Sequence, residues 1–158
     1  MAVPSPEPRC AAAVPTIAAA RSARPKRLSH PARARLAIEI LAAYVQARRT
    51  LRRAPIADVV AALRSRSPST APSATNSLAE AYRLGHAVTR LLAHVPGDTR
   101  CLARSLVLTR LLARRGIEAK LVIGAQADPE FLAHAWVEHD GIAVLDPGTE
   151  SFGRLVEL

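Results

Sequence analysis

The sequence predicts an α+β fold in which a helical N-terminal part packs on a small antiparallel sheet. Up to about Gly116 the apolar residues recur with helical spacing, and beyond it they form short β-rich runs. A hairpin signal, His139-Asp140-Gly141, separates two of these runs. Aromatic residues make up only 3% of the chain, which favours a core of Leu, Ala, Val and Ile between helices.

The first two helices follow from their start signals. Ser29 or His30 caps the first helix, with Pro31 in the first turn, and the helix runs to about Leu51. Pro55 opens a short second helix, IADVVAALRS. The first helix is predicted to carry one broad apolar face made of Leu36, Ile38, Ile40, Leu41, Tyr44 and Val45.

Two further helices precede the strands. The third is predicted to begin at Ser77, with Glu80 completing a capping box, and to end near His94. The fourth is RCLARSLVLTRLLARR, capped by Asp98 or Thr99. Three strands follow, over Ile117–Ala125, Leu132–Glu138 and Ile142–Asp146.

A length of 158 residues fits one domain. Residues 1–28 mix Pro, Ala, Ser and Arg without periodicity and are predicted to be a disordered basic tail. Residues 29–158 form the domain, with a helical part over 29–95 and the last helix and strands over 96–158.

The distribution of charge along the chain raises the question of whether the protein binds nucleic acid. Of the formal charge of +9, residues 1–70 contribute 13 Lys and Arg against 3 acidic residues, whereas residues 71–158 contribute 9 against 10. The cluster Arg48–Arg53 could bind nucleic-acid phosphates, but no binding motif accompanies it and aromatic residues for base stacking are nearly absent. We therefore expect no nucleic-acid partner, and the cluster is a candidate surface for docking a protein.

The cellular compartment is predicted from the cysteine count and from the lack of a membrane span or a clear signal peptide. Its two cysteines are too few for a disulfide-stapled secreted domain. No run approaches the roughly 18 apolar residues of a membrane span. The stretch Cys10–Ala20 resembles a signal-peptide core only weakly, because Pro15 interrupts it. The sequence predicts a cytoplasmic protein.

Cys101 falls in the first turn of the fourth predicted helix. There, unpaired N–H groups and the positive end of the helix dipole stabilise a thiolate, and Arg100 and Arg104 add positive charge. The thiolate is the reactive form, so the position suits a nucleophilic cysteine. A lone cysteine is more often a small buried apolar residue, and helix position alone leaves both interpretations open.

His134 gains a candidate partner from the hairpin. A lone strand histidine is more often structural than catalytic, but a turn centred on Asp140 would place Asp146 directly opposite His134, within reach of a hydrogen bond. A two-residue turn would instead pair His134 with residue 147 and move Asp146 to the other face. Cysteine acyl transfer uses a catalytic triad of this kind, in which a thiolate pairs with an imidazole and a carboxylate orients the imidazole.

Four segments carry a resemblance to a known family: RCLARSLVLTRLLARRGIEAKLVIG, FLAHAWVE, LDP and, upstream, AYVQARRTLRRAPIADVVAALR. Over roughly residues 32–158 the chain resembles the transglutaminase-like peptidases of lasso-peptide biosynthesis, the B proteins. The resemblance implies a papain-like arrangement of helix against sheet. It also implies a cysteine protease that removes the leader peptide from a ribosomally made lasso-peptide precursor during its maturation.

The resemblance also implies the site residues. Cys101 would be the nucleophile, His134 the general base and acid, and Asp146 the residue that orients His134. Trp136, on the same strand face as His134, and Arg104, near Cys101, are candidates for lining the substrate cleft, although Trp136 could equally be a core residue. No cofactor is expected. No metal is expected either, since no fourth ligand accompanies the three triad residues.

Partners follow from a departure from the family pattern. Many B proteins carry a leader-recognition domain ahead of the peptidase, and the first 28 residues cannot supply one. We therefore expect a split form, with the precursor peptide, a separate leader-recognition protein and the ATP-dependent lasso macrolactam synthetase as partners. The same triad could instead transfer an acyl group to an amine, as transglutaminases and arylamine acetyltransferases do.

Overall fold

In the computed structural model the described residues are 29–64, 74–96, 100–127, 131–145 and 152–158. Within these ranges the chain forms α1 (His30–Leu51), α2 (Ile56–Arg64), α3 (Ala74–Leu92), α4 (Cys101–Ala113), β1 (Lys120–Gln126), β2 (Leu132–His139), β3 (Ile142–Ala143) and β4 (Gly153–Glu157). The strands make one antiparallel sheet in the order β3-β2-β1-β4. The predicted α+β class is confirmed, and the predicted tail over 1–28 lies outside the described residues. None of the helices in these ranges is long and apolar enough to cross a membrane.

Helix α4 is the centre of the fold. It packs against α1, α2 and α3 on one side and against the sheet on the other, and such an all-round burial requires a helix that is apolar on nearly every face. Leu106, Leu108, Leu111 and Leu112 are fully buried. The last residue of the helix is Ala113, and the predicted stop signal, Gly116, closes the turn that follows: its φ of +67° allows the amide of Ile117 to bind the carbonyl of Leu112 at 3.0 Å.

Helix α1 has two apolar faces rather than the one broad face that was predicted. Its inner face is buried against α4 through Ile40, Ala43, Tyr44 and Ala47. On the opposite face, Ile38 is 67% exposed, Leu41 40% and Val45 45%. The predicted set thus mixed core residues with residues that face solvent.

Helix α3 begins at Ala74, three residues before the predicted start, so the capping box at Ser77 and Glu80 is wrong. Ser77 is buried, and its hydroxyl is 2.8 Å from Nε2 of His139 on β2. Glu80 instead forms ion pairs with Arg83 and Arg115. Both residues hold α3 to its neighbours rather than capping it.

The β2–β3 hairpin turns through two residues. Asp140 and Gly141 have φ of +50° and +76°, as a type I′ turn requires, and His139 pairs with Ile142. The register with a turn centred on Asp140 is therefore wrong, and the two-residue alternative is observed. Strand β3 is also shorter than predicted, because it ends at Ala143.

A β-bulge follows β3. The amides of Val144 and Leu145 both donate to the carbonyl of Val137, at 2.9 and 3.4 Å. Two residues that face one residue of the neighbouring strand define a bulge, which shifts the register by one residue.

Strand β4 was not predicted. It pairs with β1 at the open edge of the sheet, and all five of its residues are exposed. The last residue, Leu158, continues the pairing through mutual 2.8 Å hydrogen bonds with Leu121, and its carbonyl also accepts from Arg64 at 2.7 Å.

Candidate active site

Cys101 is the first residue of α4 and is partly exposed. The residue in the N-cap position is Arg100, whose side chain makes no cap hydrogen bond; Asp98 and Thr99, the predicted caps, lie outside the described residues. The unpaired amides of the first turn and the helix dipole favour an anion at Cys101, as the sequence indicated.

Ser105 joins this end of α4 to the sheet. It lies one turn after Cys101, is completely buried, and donates from Oγ to the carbonyl of Ala135 at 2.9 Å. Ala135 follows His134 on β2. The hydrogen bond therefore fixes the start of α4 beside the residue next to the candidate histidine.

A second contact gives the relative direction of α4 and β2. A Cβ placed on Gly85 would lie 2.6 Å from the carbonyl oxygen of Val144 and 3.5 Å from Cδ2 of Leu108. The amide of Val144 in turn binds the carbonyl of Val137. Leu108 thus lies near the Val137 level of β2, whereas Ser105 lies at Ala135, so α4 and β2 run in the same direction. Cys101, one turn before Ser105, lies towards the end where β2 begins.

His134 belongs to an aromatic cluster, which consists of His134, Trp136 and Phe152. The His134 ring stacks on Phe152 at 5.1 Å and on Trp136 at 6.2 Å between ring centroids. A Cβ on Gly124 would come within 2.9 Å of both Trp136 and Phe152. The cluster therefore needs a glycine beneath it on β1.

A buried carboxylate completes this face of β2. Glu138 accepts a 2.8 Å hydrogen bond from the indole N–H of Trp136 and a 2.7 Å hydrogen bond from Arg154 on β4. Its side chain is only 7% exposed. His134, Trp136 and Glu138 are two residues apart along a strand, so they share one face of the sheet.

Cys101 and His134 approach the sheet from different sides. Ala135 and Val137 point into the core beneath the helices, as Cys101 does, whereas His134 alternates to the other face. Among the described residues no hydrogen bond joins the Cys101 thiol to the His134 ring. The structure brings the two residues to the same end of the α4–β2 pair.

The remaining predicted residues have different outcomes. Trp136 shares the strand face of His134, as the sequence indicated, and is buried. Arg104 lies in the first turn of α4 and is partly exposed, and its Nε is buried with no hydrogen-bond partner in the described part of the chain. Asp146 lies outside the described residues. Within those residues no group of three His, Cys, Asp or Glu side chains could hold a metal ion.

Sequence reasoning missed Ser105, Glu138 and Phe152. Glu138 had a usable signal, because its spacing of four from His134 along a strand places both on one face. Ser105 had a weaker one, since a serine inside an otherwise apolar helix needs a partner. Phe152 had none, because its neighbour on β1 depends on a strand that the sequence did not indicate.

Comparison with known proteins adds one positive finding. No curated protein and no solved structure gives a significant match to the chain. Residues 41–157 match the family model described as the transglutaminase-like superfamily. This segment covers most of the chain and contains α4, β2 and β4, the elements that carry Cys101, His134 and the residues around them. The chain belongs to the transglutaminase-like superfamily.

Proposed function

We propose that the protein is a cysteine peptidase that removes the leader peptide from a lasso-peptide precursor, with Cys101 as nucleophile and His134 as general base and acid. The superfamily contains cysteine peptidases and acyl transferases, and the peptidase role is the finer proposal. The observation that carries it is a partly exposed cysteine at the start of the central helix, which the hydrogen bond from Ser105 holds beside the strand of His134.

The proposed reaction has two steps. The Cys101 thiolate attacks the scissile carbonyl, and the oxyanion that forms accepts hydrogen bonds from first-turn amides of α4. His134 gives a proton to the leaving amine of the core peptide, and the leader remains as a thioester on Cys101. Water, deprotonated by His134, then releases the leader and restores the thiol.

Proton transfer requires the thiol and imidazole to come within hydrogen-bond reach. Such hydrogen bonds are often long or absent in free enzymes and form when the substrate binds. We expect the peptide to bind at the beginning of β2, the end of the α4–β2 pair at which both residues lie. The Nε of Arg104, which has no hydrogen-bond partner among the described residues, would offer a donor to a substrate carbonyl.

Asp146 is proposed to orient His134. The bulge at Val144 and Leu145 supports this role, because an extra residue reverses the side-chain alternation of the following chain. Asp146→Asn should reduce kcat by orders of magnitude, whereas Asp140→Asn, in the exposed turn, should have little effect. If instead only Asp140→Asn abolished turnover, the assignment of Asp146 would be wrong.

The proposal includes a separate leader-recognition protein, and the outer face of α1 is the candidate docking surface for it. Ile38, Leu41 and Val45 form an exposed apolar stripe along the helix, and Arg49 and Arg52 extend the stripe at its C-terminal end. A helix that is apolar on two opposite faces is typical of one that packs on both sides. The neighbouring arginines favour an acidic partner.

Docking would raise the reaction rate through tethering. A recognition protein that holds the leader can bring the scissile bond to millimolar effective concentration at Cys101. The exposed core peptide would then pass to the ATP-dependent macrolactam synthetase, which completes the proposed set of partners. We propose the cytoplasm as the compartment, because it keeps the Cys101 thiol reduced.

Mass spectrometry of the precursor encoded beside this gene tests the proposal. Incubation with the protein and the recognition protein should give the free leader and core peptides, whereas transfer to an amine would give a mass gain. Cys101→Ala should fold and give no cleavage, and Cys10→Ala should cleave normally. An uncut precursor under these conditions would contradict the peptidase assignment.

A matched pair of variants tests the docking surface. Leu41→Gln combined with Val45→Gln should raise the concentration of recognition protein needed for half-maximal cleavage by about tenfold, equivalent to about 1.4 kcal/mol of lost binding. Leu155→Gln, on exposed strand β4, is the control and should behave as wild type. Equal behaviour of the two variants would contradict the assignment of the α1 stripe.

A further inference from the structure

The carboxylate of Glu138 is buried on the same sheet face as His134, although no step of the proposed reaction uses it. A buried carboxylate needs charged or hydrogen-bonding partners to offset its lost hydration. Glu138 has two, the guanidinium of Arg154 at 2.7 Å and the indole N–H of Trp136 at 2.8 Å. These are side chains from two strands of the sheet, held by one acceptor.

We infer that Glu138 is a positioning residue for His134, which it acts on by fixing the indole ring of Trp136 against which the imidazole stacks. The inference rests on the proposed function only in its kinetic consequence, because the ring geometry is independent of the reaction.

The contacts form a continuous chain from β4 to the imidazole. Arg154 holds the carboxylate of Glu138, Glu138 holds the indole N–H, and the indole plane lies within 20° of the His134 ring plane. His134 also stacks on Phe152, at 19° between ring planes, and the ring centroids of Trp136 and Phe152 lie 6.3 Å apart. The three rings thus form a triangular cluster in which His134 contacts two aromatic rings, one of them anchored through Glu138 by a charge-assisted pair.

The same series of contacts gives strand β4 a role. This edge strand is exposed on all its residues and adds little to the core. Its Arg154 nevertheless reaches Glu138, and Phe152, immediately before the strand, contacts His134. Hydrogen bonds to Glu157 and Glu138 raise the pKa of Arg154, so its guanidinium stays charged throughout the working range of the protein.

Proton NMR of the imidazole tests the inference without reference to activity. The Cε1 proton of His134, assigned by comparison with His134→Gln, should be shifted upfield by the rings of Trp136 and Phe152. Glu138→Leu should move this resonance towards its position in an unstructured peptide. Glu138→Gln, which keeps an oxygen acceptor for the indole, should retain most of the upfield shift.

Two variants separate positioning from general destabilisation. Trp136→Phe keeps a ring but removes the N–H that Glu138 holds, and should lose part of the His134 shift even if Glu138→Leu fails to fold. Glu157→Ala removes the 2.8 Å partner of Arg154 on the exposed edge and should leave the His134 resonance unchanged.

The second test measures the kinetics of precursor cleavage. Because misplacement of a catalytic group by about 1 Å can cost a factor of about 100, Glu138→Leu should lower kcat by about 10- to 100-fold while KM changes less than about twofold. Glu138→Gln should restore most of kcat. An unchanged His134 resonance in Glu138→Leu would overturn the inference whether or not the protein cleaves the precursor, and a precursor left intact by the wild-type protein would overturn the proposed function alone.

Discussion

The hydrogen bond from Ser105 to Ala135 should be the clamp that sets the distance between the two candidate catalytic elements. The Ser105 side chain is fully buried, so Ser105→Ala leaves the carbonyl of Ala135 without its donor on α4 and without access to water. Loss of a buried hydrogen bond with one partner left behind costs about 1–3 kcal/mol. At about 2–4 °C per kcal/mol for a chain of this size, the melting temperature should fall by roughly 2–12 °C.

Thr109→Val is the matched control for this prediction. Thr109 is equally buried and its hydroxyl also donates at 2.9 Å, but to the carbonyl of Ser105 within the same helix. Such a local hydrogen bond contributes little to helix stability, and valine fills the same volume. Thermal melting by circular dichroism should therefore show a clear loss for Ser105→Ala and a small change for Thr109→Val. Equal changes in the two variants would refute the view that this hydrogen bond clamps α4 to β2.

Two further predictions concern the packing around the site. Gly124→Ala should destabilise the protein by about 1–3 kcal/mol and disturb the fluorescence of Trp136, the only tryptophan in the chain, because its Cβ would lie 2.9 Å from that ring. Gly153→Ala, whose Cβ would lie 3.4 Å from its nearest neighbour, is the control, and an equal loss in both would contradict the packing argument. Ser77→Ala should cost about 1–2 kcal/mol in urea unfolding, since it removes the 2.8 Å partner of buried His139. An unchanged midpoint would show that this hydrogen bond does not hold α3 to the sheet.

Local patterns predicted the secondary structure well because they are set by nearby residues. Helix α1 and its first-turn Pro31, the turn at Gly116 after α4, and the two central strands all depend on spacing or on backbone preferences within a few residues. The hairpin position followed from Asp140-Gly141 for the same reason.

The sequence predictions were wrong where contacts between distant residues determine the structure. Ser77 has the sequence signature of a helix cap, but its hydroxyl lies within hydrogen-bond distance of His139, which is far along the chain. The apolar residues of α1 could be identified but not divided into inner and outer faces, because that division depends on where α4 lies. The bulge after β3 shifts the register by one residue, and no local sequence pattern marks that shift. The position of Asp146 relative to His134 stays a prediction.

The candidate site was accessible to sequence reasoning at the level of residue types only. Cys101 at a helix start and His134 in a strand were both identified, and the family match agrees with the superfamily that they suggested. The residues that support them, Ser105 and Glu138, act through partners on other elements. Their roles became visible only once the contacts between helix and sheet were known.

The central claim, that Cys101 is the nucleophile of an acyl-transfer peptidase, is tested most directly by trapping the thioester. Precursor and protein are mixed with the recognition protein, quenched in acid, and the intact mass of the protein is measured. The account predicts a transient gain equal to the mass of the leader acyl group, mapped to the peptide that contains Cys101 and absent from Cys101→Ala. Cleavage of the precursor by Cys101→Ala at the wild-type rate, with no adduct on the wild-type protein, would contradict it.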